Sequence, residues 1–268
     1  MLFLLQLEWK KLYGNTAFRI LMAFYVALLP AILLTGKRLK DLPPPMISND
    51  VFFIFPTVWQ FLGYIGNWLC FFFFGFLSVL MVTTEYGNKT MRQNIITGLS
   101  RKEYFLGKIY FIAACSLFAT LYYTLVALVI GFFSTDTIFW VKLTQNADYI
   151  PRYFLMCFGY MTFGAFLGFL IKRTGIALFL YLSYIMFIEM ILRWGVHFQL
   201  VKNRSMHFYP LNAIEDLVPI PIPEPANEFM DEFGFGLFLS PTEAILTTLL
   251  YLSLFIGLAW RRVSRMDL

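Results

Sequence analysis

Thr84-Glu85-Tyr86-Gly87-Asn88-Lys89-Thr90-Met91-Arg92-Gln93-Asn94-Ile95-Ile96-Thr97-Gly98-Leu99-Ser100-Arg101-Lys102-Glu103-Tyr104-Phe105-Leu106-Gly107-Lys108 is a polar, basic stretch between two hydrophobic runs. Each run is long enough to cross a bilayer, which takes about 20 apolar residues. Glu85 and Tyr86 close the first run, and Gly87, Asn88 and Lys89 break the apolar pattern. Thr90 to Ile96 predicts a short helix, with Met91, Ile95 and Leu99 on one side and Arg92, Gln93 and Asn94 elsewhere. Gly98 is a helix stop. Ser100 with Glu103 three residues later has the pattern of a capping box, and Tyr104, Phe105 and Lys108 open the next run. The order is helix end, short helix lying across, capped helix start. That describes a rigid surface element; the alternative is an ordinary basic loop.

The rest of the chain supplies the setting. Of 268 residues, 59% are hydrophobic, 20% aromatic and only 14% charged. Soluble domains carry about 25% charged residues, so lipid must be the solvent for most of this chain. The pattern predicts an all-α membrane protein of one domain, 1–268, with six transmembrane helices over about 18–35, 57–83, 104–133, 152–171, 176–194 and 241–260. Residues 2–15 are amphipathic and too short to span. With Leu2, Leu5, Trp9, Leu12 and Tyr13 at helical spacing and Lys10 and Lys11 beside them, they predict an interfacial helix against an anionic leaflet. No basic region precedes Leu2 to Leu5, so no cleaved signal peptide is expected. Pro43-Pro44-Pro45 reads as a rigid spacer.

Basic residues set the orientation. With the N-terminus inside, thirteen of the 21 lysines and arginines fall on the inner side. They cluster in 84–103, in Lys172-Arg173 and in Arg261-Arg262-Arg265; Lys37-Arg38-Lys40 opposes the trend. Both termini are expected on the cytoplasmic side, with 84–103 cytoplasmic and 195–240 extracytoplasmic. Basic residues in short clusters between apolar runs argue against nucleic acid as a partner.

Inside the spans, Glu189 and Arg193 one turn later are candidates for an intramembrane ion pair or a translocation path. Asn67, with Ser78, is a candidate for hydrogen bonding between spans. Gly164 and Gly168 have the small-x-x-x-small spacing of close helix packing. Cys70, Cys115 and Cys157 lie in apolar runs and read as small buried hydrophobes. In the outer segment, Leu211, Ile214, Leu217 and Val218 form one apolar face, and Phe229, Phe233, Phe235, Leu237 and Phe238 a second patch. Both read as short helices dipping into the outer leaflet or as a lid. Glu189-Met190-Ile191-Leu192-Arg193 partly fits an intramembrane metalloprotease motif, but it has one Glu only, and His197 and His207 both lie outside the spans, so a metal site is not expected. There is no Gly-x-x-x-x-Gly-Lys-Ser/Thr phosphate loop.

The stretch 84–108 resembles the first cytoplasmic loop of the type-2 ABC transporter permeases. The resemblance rests on Glu85, on Asn88-Lys89-Thr90-Met91-Arg92, on Gly98-Leu99-Ser100-Arg101, and on Tyr104-Phe105 with Gly107-Lys108. The interfacial first helix, six spans, tight basic turn at Lys172-Arg173 and long outer segment before the sixth span also match, although only the loop carries a motif. Gly98 stands where that family often has Pro. The resemblance implies a type V ABC exporter-like fold in the bacterial inner (plasma) membrane. It implies no chemistry or cofactor on this chain, ATP and Mg being bound by a separate ABC ATPase subunit. It also implies a homodimer, or a heterodimer with a similar permease, embedded in lipid. The short helix would be the coupling helix, with Glu85, Asn88, Thr90, Met91, Arg92, Ile95, Ser100 and Arg101 docking the ATPase. The other classes left open are an intramembrane protease-like enzyme and a non-transporting membrane scaffold. The cargo is open too; a Phe-rich second span suggests an amphipathic or lipid-like one.

Overall fold

A computed structural model describes residues 2–36, 52–136, 140–221 and 223–266. The Lys37-Arg38-Lys40 cluster and the Pro43-Pro44-Pro45 spacer lie outside the described residues. The described chain is all-α. In order it forms α1 (Leu2–Tyr13), α2 (Thr16–Gly36), α3 (Val58–Gly87), α4 (Thr90–Ile96), α5 (Arg101–Ser134), α6 (Trp140–Thr144), α7 (Tyr149–Ile171), α8 (Thr174–Val201), α9 (Pro210–Glu215), α10 (Pro223–Phe233) and α11 (Pro241–Ser264).

Six of these segments are long and apolar enough to cross a membrane, the fourth being α6 and α7 together. They are consistent with a multi-pass membrane protein. Asn146, with a left-handed φ of 66°, separates α6 from α7. The outward faces also call for an apolar solvent. Phe179 on α8, Leu121 and Phe133 on α5 and Leu250 on α11 are each more than 60% exposed, and a water-soluble monomer rarely exposes contiguous apolar surface on this scale. At 1.5 Å per residue the 34 residues of α5 extend about 51 Å, beyond a hydrocarbon core of about 30 Å.

α3 and α7 form the centre, with α2, α5, α8 and α11 around them. Their close approach is written in the glycines of α7. A Cβ at Gly164 would clash with Ser78 Oγ and stand 2.7 Å from Gly75 O, and one at Gly168 would stand 2.9 Å from Val82 Cβ. The small-residue pattern therefore seals a seam within this chain. Ser78 itself bonds to Gly75 O on its own helix, not across spans. The three cysteines are buried and unbridged.

Two long helices contain π-helical turns, where i→i+5 bonding leaves carbonyls displaced. In α3 the turn is Cys70–Phe74. The Tyr181 hydroxyl of α8 donates to Phe71 O at 2.8 Å, supplying a partner that lipid cannot. In α8 the turns are Tyr184–Ile188 and Ile191–His197. This winding carries the fifth span through Gly195 to Val201, seven residues past the end expected from sequence. Lys202 in the left-handed region (φ 47°) ends it.

Candidate functional site

The loop joining α3 to α5 is built from local signals. Lys89 turns the chain with φ 56°, and α4 runs for seven residues. Gly98 has φ 110°, where a Cβ would be strained, and Leu99 N donates back to Asn94 O (3.0 Å) while Gly98 N donates to Ile95 O (3.1 Å). The Ser100–Glu103 capping box is complete: Ser100 N donates to Glu103 Oε2 (2.9 Å), and Glu103 N to Ser100 Oγ (3.2 Å). The C-terminal end of α4 and the start of α5 are thereby fixed.

Beneath the loop lies a charge cluster joining three helices. Lys108 of α5 is fully buried and donates to Glu85 of α3 at 2.7 Å and to Glu8 of α1. Lys11 closes the ring, on Glu8 at 2.7 Å and Glu85 at 3.1 Å. Two ammonium groups and two carboxylates balance. The Lys108 ammonium also sits 5.4 Å from the Tyr104 ring centroid. α1 owes its position to this cluster and to the flanking Leu4 and Leu12, a buried i, i+4, i+8 stripe with Glu8 in the middle. Of the apolar face expected from sequence, Leu2, Trp9 and Tyr13 are exposed and Leu12 is buried.

Among the residues expected to dock an ATPase, Asn88, Arg92 and Ser100 are exposed. Thr90 is half-buried, with its hydroxyl directed to Glu85 O at 3.4 Å. Glu85 and Met91 are buried, and Ile95 packs against the core. Arg101 turns inward and donates to Ser264 O at the end of α11 (2.5 Å). The face of the loop open to another protein is therefore Asn88, Lys89, Arg92, Gln93 and the 72%-exposed Ile96, while Glu85, Met91 and Arg101 tie the loop to the bundle.

A second polar region lies at the other end of the bundle, where the segment after α8 folds back onto it. Asn67 of α3 joins three elements: its Nδ2 donates to Glu215 O (3.2 Å) and Val218 O (3.3 Å), and its Oδ1 accepts from the Tyr160 hydroxyl of α7 (2.7 Å). Glu189 and Arg193 do not form the expected ion pair. The Glu189 carboxylate accepts from the first-turn amides of α9, Leu211 N (3.1 Å) and Asn212 N (2.5 Å). Arg193 donates to Met206 O (3.1 Å) and meets His207 Nδ1 at 3.3 Å. The i, i+4 rule presumes α winding, and here π winding turns the two side chains to different partners.

Further bonds complete the hold on this segment. Arg152 donates to Leu217 O (3.1 Å), Thr248 to Ala213 O (3.1 Å), and Asp216 accepts from Leu239 N and Asn212 Nδ2 (both 2.9 Å). Burial pushes the Asp216 carboxyl up to about 7. Burial, with the charges of Arg193 and Arg204 near by, pushes His207 down to about 4, so its ring is neutral and accepts from Arg193. Beside this network is a cavity of about 340 Å³, lined by Asn67, Tyr160, Glu189, Arg193 and Glu215 on its polar side and by Trp68, Phe71, Met190 and Trp194 on its apolar side.

Sequence reasoning missed Glu8 as a member of the charge cluster. The available signal was its place between Leu4 and Leu12 on one helical stripe. Among the described residues no three His, Cys, Asp or Glu side chains come together to hold a metal. Comparison with protein-family models gives no match, and no curated protein is significantly similar to the chain.

Proposed function

We propose that the chain is the permease subunit of an ABC-type exporter. In this reading α4 is the coupling helix, docked by a separate ATPase subunit that binds and hydrolyses Mg-ATP. The chain sits in the bacterial inner membrane with both termini cytoplasmic, paired with a second copy or a similar permease. The observation that carries the reading is the loop between α3 and α5. It presents a short helix outward, ended by Gly98 and followed at once by the capped start of α5, and its root is tied to α1, α3 and α5 through Glu8, Lys11, Glu85 and Lys108. A load applied to α4 reaches the inner ends of three helices through charges that have discrete partners, the kind of two-state element that mechanical coupling needs. The cavity at Asn67, Tyr160 and Glu189 lies between helices that would re-pack, and it is the candidate for cargo on its way out.

The test is purification of the tagged chain from its native membrane, followed by assay of Mg-ATP hydrolysis in the isolated complex. Arg92→Glu with Ile96→Asp alters only exposed positions and is expected to strip the ATPase, lowering hydrolysis at least tenfold while the chain stays folded. Undiminished hydrolysis with both residues changed, or none in the unaltered complex, overturns the proposal.

A further inference from the structure

At the end of the bundle where the loop lies, α7 and α11 run together and leave a groove of about 320 Å³ between them. Its walls are apolar, with Phe166 and Leu170 from α7 and Leu258 from α11, and its mouth carries Arg261, Arg262 and Arg265. The three arginines are exposed, and among the described residues none of their guanidinium groups has a hydrogen-bond or ion-pair partner. Arg101, Arg152 and Arg193, by contrast, each donate to a backbone carbonyl. Lys172 borders the same end: its ammonium lies 5.4 Å from the Tyr86 ring centroid, and the Tyr86 hydroxyl donates to Met266 Sδ, next to Arg265. Among the described residues no carboxylate lines the groove.

We propose that this groove is a binding site for an anionic phospholipid. The three guanidinium groups offer forked donors to phosphate oxygens, and a basic pocket between membrane helices is the usual form of an anionic headgroup site. The apolar walls select the lipid form of the phosphate. Leu170 and Leu258 are 49% and 43% exposed, and they continue into the outward apolar faces that hydrocarbon covers. An acyl chain would lie along them with its phosphate at the arginines. The inference rests on the membrane-embedded helices alone and holds whether or not the chain is a permease.

Delipidated protein in detergent, titrated with dioleoyl phosphatidylglycerol and read by native mass spectrometry, tests it. Phosphatidylglycerol is expected to bind at least about tenfold more tightly than phosphatidylcholine with the same chains. The triple change Arg261→Gln, Arg262→Gln, Arg265→Gln should weaken it about a hundredfold, from roughly a factor of five for each basic residue. Leu170→Trp, which fills the groove and leaves the arginines in place, should also weaken it. Lys89→Gln, Arg92→Gln, Lys102→Gln removes as much charge elsewhere and should leave it unchanged. An equal loss in that control, equal binding of phosphatidylcholine, or displacement of the lipid by millimolar inorganic phosphate would overturn the proposal. So would loss of ATPase association in the arginine variant with lipid binding intact.

Discussion

The two ends of the bundle are held in different ways. At the loop end, α1, α3 and α5 meet through side-chain ion pairs: Lys108 on Glu8 and Glu85, and Lys11 on the same two carboxylates. At the other end, side chains hold backbone. Glu189 takes two amides of α9, Arg193, Arg152 and Asn67 donate to carbonyls, and Asp216 accepts Leu239 N. Ion pairs between side chains can exchange partners without unfolding a helix. A carboxylate capping a helix has no second arrangement within reach. The loop end is therefore suited to switching, and at the far end α9 is suited to moving with α8 as one unit.

The largest expected effect comes from breaking the centre of the ion cluster. Lys108→Met leaves two carboxylates at a buried site with only Lys11 between them. Removal of one partner from a buried ion pair costs about 3–5 kcal/mol, and this change is expected at the upper end, since Lys108 serves two carboxylates. Thermal unfolding in detergent should show the loss. Changing Glu85→Gln as well leaves Glu8 paired with Lys11, restores the balance of charge and should recover more than half of it. If the double variant were no more stable than Lys108→Met, the cluster would not be acting as a charge-balanced unit.

The far end should respond locally. Glu189→Gln keeps one acceptor for two amides and replaces the other with a donor, so Leu211 N or Asn212 N loses its partner. A hydrogen bond to a charged group contributes about 1.5–3 kcal/mol, and the loss should fall in that range. Amide exchange in α9 should accelerate by at least tenfold while α4 is unaffected. Acceleration at both ends together would mean that the two regions are one cooperative unit, and the contrast between them would fall.

Sequence showed the loop better than its foundations. Gly98, Ser100 and Glu103 act within a few residues of one another, so stop, turn and capping box follow from their order alone, and the apolar runs marked the six long helices. The cluster was hidden because Glu8 and Lys108 are separated by 100 residues. On a short amphipathic helix a Glu marks the polar face by default, and only the packing of α1 on α5 turns it inward. Met91 and Arg101 were visible as members of a pattern, but the pattern does not say which way each side chain turns. The failure at Glu189 and Arg193 has another cause. A π turn depends on a partner for the carbonyl it displaces, such as Tyr181 for Phe71 O, and no local spacing rule contains that information.

The smallest effect separates rigidity from position. Ser100 and Ser240 form the same capping box, with Glu103 at the head of α5 and Glu243 at the head of α11. Loss of an N-cap side chain costs about 1 kcal/mol. Ser100→Ala and Ser240→Ala should therefore lower the melting temperature by similar small amounts. They should differ in what else they change. Ser100 is the joint between α4 and α5, so its loss lets the short helix shift against the cluster beneath it. Glu243 keeps Arg204 as a second partner, so α11 retains its first turn. Exchange in 90–99 should then rise several-fold in Ser100→Ala alone. Equal exchange there in both variants would mean that α4 is held by the burial of Met91 and the packing of Ile95, with the cap contributing nothing to its rigidity.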